Sequence, residues 1–390
     1  MAFDTGTIRA FLSDEHAALA QGAERFAAPW AARAEAADDA SARREAREAL
    51  EALGAAGWFA PIGRQDWRGC CLVREALAAA SPLADAVFAL QGLGTVPLLL
   101  AGNQAMRERW LAPAVAGSAM AAFAMTEAEA GSDVSAMKTT ARREGDAYVL
   151  EGEKTFISNA GIADFYVTFA STDPAAGSRG ISCFVVAADM PGLRFVGPQV
   201  LSCPHPLGTI AFERCQVPAE CRLGEEGKGL SLGHKTLDRL RPTVGAAACG
   251  MASRALELAL AHARARRQFG KPLAEFQLVQ EKLARMATHL AAARLLVYRA
   301  AWTADQGAER VTLEAAMAKS FATEEAQHIV DDAVQILGGS GVLASHPVDR
   351  LYRAVRALRI YEGTTEIQSL VIAGQLLKGT EPAAQREARA

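Results

Sequence analysis

The chain has 390 residues, of which 51% are hydrophobic and 22% are charged, and this composition excludes a largely disordered protein. Its 41 Lys and Arg residues against 44 Asp and Glu residues give a formal net charge of −3, so no overall positive field exists to attract nucleic acid or an anionic membrane. The seven cysteines, an odd number without CxxC spacing, indicate free thiols in a reducing compartment rather than a disulfide framework.

The amino terminus has acidic and basic residues mixed together, with no basic stretch followed by an apolar one. Neither a secretory signal nor a transit peptide is therefore expected. The longest uncharged run, residues 86–106, is interrupted by Gln91, Pro97 and several glycines, which argues against a membrane span. We expect a cytoplasmic enzyme with no membrane span and no nucleic-acid partner.

Hydrophobic periodicity predicts a multi-domain, mainly α fold with a central β domain. Residues 1–116 are Ala-rich with apolar residues at helical spacing and predict an N-terminal α-helical domain. Residues 117–229 contain short β-rich runs separated by Gly, Pro, Asp and Ser, which predict a compact, barrel-like β domain. Residues 230–380 return to helical spacing and predict a C-terminal four-helix bundle, followed at 381–390 by a flexible tail.

A first candidate site lies at residues 123–134 and at residues 154–159, which close the next predicted strand pair. Thr126, Gly131, Ser132 and Ser158 place hydroxyls and unhindered backbone amides on turns, where they can donate to a flat heteroaromatic ring or to phosphate. The pattern suits a bound flavin or anion. A tight turn capped by Asp133 is the structural alternative.

A second candidate site is residues 359–368, which follow an arginine-rich helix. Glu362 stands between Tyr361 and Gly363, where partial removal of water would raise its pKa toward the range that a general base needs. A solvated glutamate in a turn is the alternative.

Taken together, these segments resemble the acyl-CoA dehydrogenase family of flavoproteins, and the resemblance spans residues 8–378. It implies the three-domain fold of that family, FAD as cofactor, an acyl-CoA substrate, an electron-transfer flavoprotein as electron acceptor, and a homotetramer built as a dimer of dimers. No metal is implied, and the seven histidines show no zinc-ligand spacing.

The resemblance implies two FAD-binding stretches, with Thr126 facing the pyrimidine part of the flavin, Ser132 near the pyrophosphate and the thioester, and Ser158 bonding flavin N5. The family usually has Trp-Ile-Thr in the second stretch, where this chain retains an aromatic ring and a hydroxyl. The cofactor-binding positions implied in the two stretches are Phe123, Met125, Thr126, Gly131, Ser132, Phe156, Ile157 and Ser158.

Further implied contacts reach the FAD of a neighbouring subunit, so that the cofactor site would be completed at a subunit interface. These positions are Arg266, Gln268, Phe269, Gln277, Gln335, Ile336, Gly338 and Gly339. Taken alone, the glycines at 338 and 339 are also typical of a plain helix stop. Thr364 and Glu366 are implied on the flavin side of the second candidate site.

The resemblance implies that Glu362 is the catalytic base, because Leu240 occupies the other position that the family uses for a carboxylate. Glu362 would remove the α-proton while hydride leaves the β-carbon for flavin N5, giving a trans-2-enoyl thioester. The implied substrate-binding positions are Ser132, Asp238, Arg241, Tyr361, Glu362 and Gly363. For Arg241, a charge on the helix surface is the alternative.

Two other functions remain open. One is a relative that acts on a cyclic, aromatic or carrier-protein thioester, or that passes electrons to O2; the other is a non-catalytic FAD- or CoA-binding homologue. The chain also departs from the family pattern. Ser369 and Gly374 stand where arginines are common, and the loop at 203–207 is unusual. We expect His205 in that loop to be solvent-exposed, with a contact to an unusual acyl group as the alternative.

Overall fold

The computed structural model describes residues 5–380, and the predicted tail at 381–390 lies outside this range. The first part of the chain is helical, as expected. Helices begin where side chains accept from free backbone amides: Ser13 and Asp38 form capping boxes, and Ser81 caps the most apolar helix. The helices are α1 (Asp14–Ala27), α2 (Asp39–Ala55), α3 (Ala60–Arg64), α4 (Trp67–Ala80), α5 (Pro82–Ala101), α6 (Gln104–Met106) and α7 (Ala112–Val115).

The middle of the chain forms one eight-stranded sheet. The strands are β1 (Ala121–Ala124), β2 (Thr140–Glu144), β3 (Ala147–Ser158), β4 (Phe165–Ser171), β5 (Ile181–Ala187), β6 (Leu193–Pro198), β7 (Leu207–Pro218) and β8 (Arg222–Leu223). The order of strands in the sheet is β6-β7-β3-β2-β4-β5-β8, and β1 pairs with β4 in parallel.

Strands β4 and β5 are buried on both faces, which explains their unbroken apolar runs. Phe165, Val167 and Phe169 join a core cluster that contains Leu98 of α5, whereas Tyr166 and Ala170 point into the interior of the β domain. Because successive side chains of a strand point to opposite faces, one face of β4 packs against the helices and the other fills the β domain.

The last part of the chain is the predicted helical bundle. Three helices are long, and the fourth element is divided into α11 and α12 by a turn at residues 359–364. The elements are α8 (Gly229–Ala265), the short hairpin β9 (Arg267–Gln268) and β10 (Lys271–Pro272), α9 (Gln277–Asp305), α10 (Thr312–Leu337), α11 (Pro347–Leu358) and α12 (Thr365–Thr380). The dividing turn contains Glu362.

Helices α5 and α8 are long and apolar enough to cross a membrane by length and composition. In the fold, 72% and 67% of their most apolar windows are buried against the rest of the chain. Core helices of globular proteins share these properties, so the hydropathy of α5 and α8 is accounted for by packing.

Candidate active site

Glu362 lies in the turn between α11 and α12 with a left-handed backbone (φ +55°), an uncommon conformation for a residue with a side chain. Arg241 Nε donates to the Glu362 carbonyl oxygen at 2.9 Å, and Lys319 Nζ donates to the Gly363 carbonyl oxygen at 2.8 Å. Gln368 Nε2 also bonds the Gly363 carbonyl at 3.1 Å. Helices α8, α10 and α12 therefore hold one short turn in a strained shape.

Gly363 is required by this arrangement. Its φ is +97°, and a Cβ atom there would lie 2.4 Å from Gln368 Nε2. A side chain would therefore break the bonds that shape the turn.

The side chain of Glu362 has a free oxygen atom in a buried position. Its Oε2 atom is buried and has no hydrogen-bond partner among the described residues. Burial raises the pKa of Glu362 above its ordinary value, and the positive charges of Arg74, Arg241 and Lys319 limit the rise. The carboxyl group thus has a free oxygen in a water-poor setting, as a proton acceptor needs.

Behind the turn lies a buried ion pair. Arg74 of α4 donates to both Asp85 carboxylate oxygens, at 2.8 and 2.9 Å, and to Thr243 Oγ1 at 3.0 Å. Burial raises the pKa of Tyr361, beside Arg74, so this phenol is neutral at ordinary pH.

The two stretches predicted to bind one cofactor are joined in the structure. The Thr155 N–H donates to the Thr126 carbonyl oxygen at 3.0 Å. The buried Lys154 Nζ bonds the Met125 carbonyl at 3.2 Å and a Glu127 carboxylate oxygen at 2.8 Å. The loop after β1 is thereby fastened to the end of β3.

Phe156 occupies an irregular point in β3 where the register with β7 shifts, and its φ is +55°. Its N–H donates to Gln199 Oε1 at 2.8 Å instead of to a neighbouring strand. The bulge turns the ring outward, and Phe156 is 60% exposed. An exposed aromatic ring on a fixed backbone is a suitable cover for a flat ligand.

Helix α8 links the joined stretches to Glu362. Gly233 lies against Met125, since a Cβ atom on Gly233 would be 2.6 Å from the Met125 methyl group. Arg241, which bonds the Glu362 turn, is eight residues further along the same helix, a rise of about 12 Å. Helix α8 therefore contacts both the joined stretches, through Gly233, and the Glu362 turn, through Arg241.

Comparison with known proteins agrees with this geometry. The N-terminal, middle and C-terminal domains of acyl-CoA dehydrogenase match residues 13–118, 122–215 and 227–377. The chain is 44% identical over 319 residues to a 3-(aryl)acrylate reductase of Clostridium sporogenes, covering 80% of this chain and 84% of the relative.

This chain belongs to the acyl-CoA dehydrogenase family.

Two further members show how closely the family resemblance extends. A caffeyl-CoA reductase-Etf complex subunit, CarC, of Acetobacterium woodii is 44% identical over 289 residues, covering 72% of this chain and 75% of that protein. The solved butyryl-CoA dehydrogenase of Megasphaera elsdenii superposes with a TM-score of 0.85 and 33% identity, covering 94% of this chain and 99% of that one.

Members of the acyl-CoA dehydrogenase family bind FAD, and the residues present fit it. Thr126 and Ser158 are half-buried and Ser132 is exposed, so their hydroxyls are accessible. A Cβ atom on Gly131 would meet no atom within 4 Å, which leaves open space at the loop tip. The exposed ring of Phe156 borders the same surface.

Three predicted cofactor positions have mostly buried side chains. Met125, Ile157 and Ile336 are 6%, 1% and 7% exposed and lie in hydrophobic core clusters, so little of their side-chain surface is open to a ligand. Their role at FAD stays a prediction. Phe123 is half-buried, and its ring packs on Phe169 with centroids 4.9 Å apart.

Asp238 and Arg241 are predicted to bind CoA, and the structure gives both of them partners within the chain. The buried Asp238 carboxylate accepts from Arg310 Nε at 2.7 Å and from Thr312 Oγ1 at 2.6 Å, and Arg241 lies 3.6 Å away. Arg241 is buried too, so the alternative of a surface charge is wrong. Arg241 braces the Glu362 turn, and the contact with CoA stays a prediction.

The expectation that His205 is a solvent-exposed loop residue is wrong. The residue is half-buried, and its Nε2 lies 3.1 Å from Ser158 Oγ. Burial lowers its pKa to about 4, so the imidazole is neutral at ordinary pH.

The residues implied at a neighbouring FAD are at the surface of this chain, apart from Ile336. The exposed members are Arg266, Gln268, Phe269, Gln277, Gln335, Gly338 and Gly339. Phe269 is 93% exposed, and its φ is +50°. Near Glu362, Thr364 Oγ1 accepts from the Ile367 N–H at 3.3 Å and begins α12, and Glu366 is exposed.

Sequence reasoning missed the roles of Lys319, Arg74 and the Lys154–Glu127 pair. Lys319 had a detectable signal, because it is a single cation within an Ala-rich part of a helix, and Arg74 had one as part of the adjacent charges Arg74 and Glu75 in an otherwise apolar part of α4. A cation placed on a buried face indicates a specific partner. Lys154 alternates with exposed residues in β3 and gave no such signal.

No metal site was expected. Among residues 5–380, one group, His16, Asp66 and Asp305, has ligand atoms within 4.8 Å of one another. His16 Nε2 already bonds Asp66 at 3.0 Å, and Asp305 accepts from the Trp67 N–H at 2.8 Å. These bonds explain the cluster without an ion.

Proposed function

We propose that this enzyme removes the α-proton and the β-hydride of an acyl-CoA thioester, with Glu362 as the base, and releases the trans-2-enoyl-CoA. The observation that supports this most directly is the buried, unpartnered Glu362 Oε2 on a turn held by three helices. The raised pKa of Glu362 brings its proton affinity closer to that of a useful base.

The backbone of the same residue can stabilise the charge that develops during proton removal. Within residues 5–380, no hydrogen bond engages the Glu362 N–H, which leaves a fixed donor beside the carboxylate. An enolate oxygen placed there would receive a preorganised hydrogen bond. FAD supplies the acceptor for the β-hydride when it is bound. The neighbouring cations Arg74, Arg241 and Lys319 favour the anionic form of the site.

For the acyl group, we propose a short or medium chain, with branched, cyclic and aryl groups included. Support comes from the relatives, which include a butyryl-CoA dehydrogenase and enzymes named for aryl substrates.

A second candidate is the reverse reaction, reduction of an aryl-substituted enoyl thioester. One relative at 44% identity is named a 3-(aryl)acrylate reductase, and another at 44% identity is a subunit of a caffeyl-CoA reductase-Etf complex. In that direction, protonated Glu362 would return the proton to the α-carbon. The same geometry serves both directions because a catalyst lowers the barrier of a reaction and of its reverse equally.

For partners, we propose an electron-transfer flavoprotein and a homotetramer in the cytoplasm. The name of CarC places that relative in a complex with such a flavoprotein. The 93% exposure of Phe269 and the 82% exposure of Leu278 on neighbouring segments support an interface between subunits. Size-exclusion chromatography with light scattering tests the tetramer directly.

The function is tested by anaerobic visible spectroscopy of the FAD-loaded protein. The panel is straight-chain acyl-CoAs from butyryl to palmitoyl, with isobutyryl, cyclohexane-1-carbonyl, 3-phenylpropanoyl and glutaryl thioesters. We expect one class to bleach the oxidised-flavin band. Aryl-acryloyl-CoA added to the photoreduced protein tests the reverse reaction by restoring that band.

The variant Glu362→Gln assigns the base. We expect it to stay yellow and to show no bleaching with the active thioester, because an amide cannot take the proton. The exposed Glu48→Gln is the matched control and should bleach like the parent protein. Bleaching at the parent rate in Glu362→Gln would reject the base assignment.

A further inference from the structure

The loop at residues 199–206 contains most of the segment that departs from the family pattern. It is bonded to residues 155–159, at the end of β3, where FAD is expected to bind. Gln199 accepts from the Phe156 N–H at 2.8 Å and donates to Thr155 Oγ1 at 2.9 Å. The Asn159 N–H donates to the Pro206 carbonyl at 2.9 Å. The fourth contact of the loop with this segment joins His205 Nε2 and Ser158 Oγ at 3.1 Å.

The segments that carry His205 and Ser158 are both fastened to α2. Arg43 donates to the Leu207 carbonyl at 3.0 Å, donates also to the Ala160 carbonyl, and forms an ion pair with Asp39 at 2.6 Å. Asp39 and Arg43 are the charged groups that act on His205, and their effects on its charge oppose each other. Burial lowers the pKa of His205, so the ring is neutral, and its contact with Ser158 lies between segments that Arg43 fastens to α2.

A neutral imidazole suits a hydroxyl partner because it has one N–H donor and one bare nitrogen acceptor. With the proton on Nε2, His205 donates to Ser158 Oγ, and the Ser158 O–H is free to point elsewhere. Serine needs such a partner more than threonine does, since threonine is branched at Cβ and is stiffer at χ1. This chain has serine at 158, where the family usually has threonine.

We propose that His205 is a positioning residue that fixes the Ser158 hydroxyl toward N5 of bound FAD, in place of the stiffness that a threonine would supply. The inference rests on FAD binding under the proposed function and on the contact between Ser158 and flavin N5 that the family resemblance implies. It requires no particular acyl substrate. Its effect is on the bound flavin itself, so it is measured without turnover.

The first test is His205→Ala in the FAD-loaded protein. We expect a shift of the long-wavelength flavin band, a changed flavin reduction potential, and FAD binding weakened about two- to tenfold, the size of one lost hydrogen bond. His205→Gln retains a side-chain donor and should restore most of each value. The exposed His328→Ala is the control and should leave all three unchanged.

The second test separates positioning from a general structural role. In a Ser158→Ala background, His205→Ala should produce no further change in the band or in the potential, because the hydroxyl that it positions is gone. In the His205→Ala background, Ser158→Thr should restore the parent spectrum. Equal effects of His205→Ala in both backgrounds, or failure of Ser158→Thr to restore the spectrum, would overturn the proposal.

Neither outcome depends on the acyl-CoA panel. If His205→Ala does not fold, as shown by circular dichroism and thermal unfolding, the comparison is made with His205→Gln and His205→Asn. Asparagine is too short to reach Ser158 Oγ, so it should shift the band where glutamine does not. Identical spectra for these two variants would also overturn the proposal, whereas a protein that cannot be loaded with FAD would overturn the proposed function.

Discussion

Arg241 donates from Nε to the main-chain carbonyl of Glu362 at 2.9 Å, so a residue on α8 holds the proposed base by its backbone and not by its carboxylate. The carboxylate is thereby left free to accept a proton. The same guanidinium lies 3.6 Å from Asp238, which Arg310 and Thr312 hold in turn. A chain of polar contacts thus connects α10 and the loop before it to the strained turn.

Arg241→Lys is expected to lower the rate of flavin reduction by about 100-fold, because a single ammonium cannot reproduce the fork and a shift of about 1 Å in a catalytic group has this cost. The protein should stay yellow. Stopped-flow bleaching with the active thioester measures the rate. The matched control is Arg194→Lys, in an exposed pair with Glu213 on the β domain. A rate within about twofold of the parent would show that Arg241 does not position the base.

The charge of Lys319 is expected to set the pH dependence of flavin reduction. Glu362 acts as a base only when ionised, so the rate should rise as the pH increases through the pKa of Glu362. Lys319 lowers the pKa of Glu362, and burial gives Lys319 itself a pKa of about 8. Lys319→Gln keeps a donor for Gly363 but removes the charge, so the acidic limb of the profile should move to higher pH.

Lys319→Arg is the matched variant for this experiment, because it keeps the positive charge. Its acidic limb should stay close to that of the parent protein. Rates of flavin bleaching measured across the pH range test both variants. A limb that stays in place in Lys319→Gln, or that moves to lower pH, would contradict the assigned role.

The buried Lys154–Glu127 pair is expected to hold the FAD-binding loop in place. Lys154→Met leaves a buried carboxylate without its counter-charge, which costs about 3–5 kcal/mol of unfolding free energy. The double variant Lys154→Met/Glu127→Gln should recover part of this loss, because no unpaired charge remains. Urea unfolding followed by circular dichroism measures the loss of unfolding free energy in this double variant and in each single variant. A double-variant loss equal to the sum of the Lys154→Met and Glu127→Gln losses would show that the two residues do not act as a pair.

Phe156 is expected to shield the bound flavin. Phe156→Gly removes the ring and relieves the positive φ, so FAD should dissociate faster without a lower unfolding temperature. Phe156→Trp keeps an aromatic cover and is the matched control. The rise in flavin fluorescence on release measures the dissociation rate of FAD, and quenching by iodide measures how well the bound flavin is shielded. An unchanged dissociation rate in Phe156→Gly would remove Phe156 from the flavin site.

The local features of the chain were predictable from its sequence. Glu362, Gly363 and the two stretches around Thr126 and Ser158 are short motifs, and their residue types express backbone conformation and chemistry within a few positions. The helical, β and helical parts follow from hydrophobic periodicity, because an apolar stripe must face a core. The family and its cofactor follow from the order of these segments.

The partners of buried polar groups were not predictable in the same way. His205 and Ser158 are 47 residues apart, and Asp238 meets Arg310 and Thr312 across 72 and 74 residues. In the sequence, Asp238 and Arg241 have the same appearance whether they contact a ligand or brace a turn. Burial and hydrogen bonding decide between these roles, and both arise only when distant segments pack together.

The sequence by itself determined the fold, the cofactor and the identity of the residue proposed as the base, since these depend on residue types at short spacing. The tertiary structure alone decided how that base is held, with Arg241 and Lys319 bonded to the backbone of its turn and Arg74 behind it. It also decided that His205 meets Ser158 instead of solvent. The physical reason is that the charge state and orientation of a polar side chain depend on what surrounds it in space.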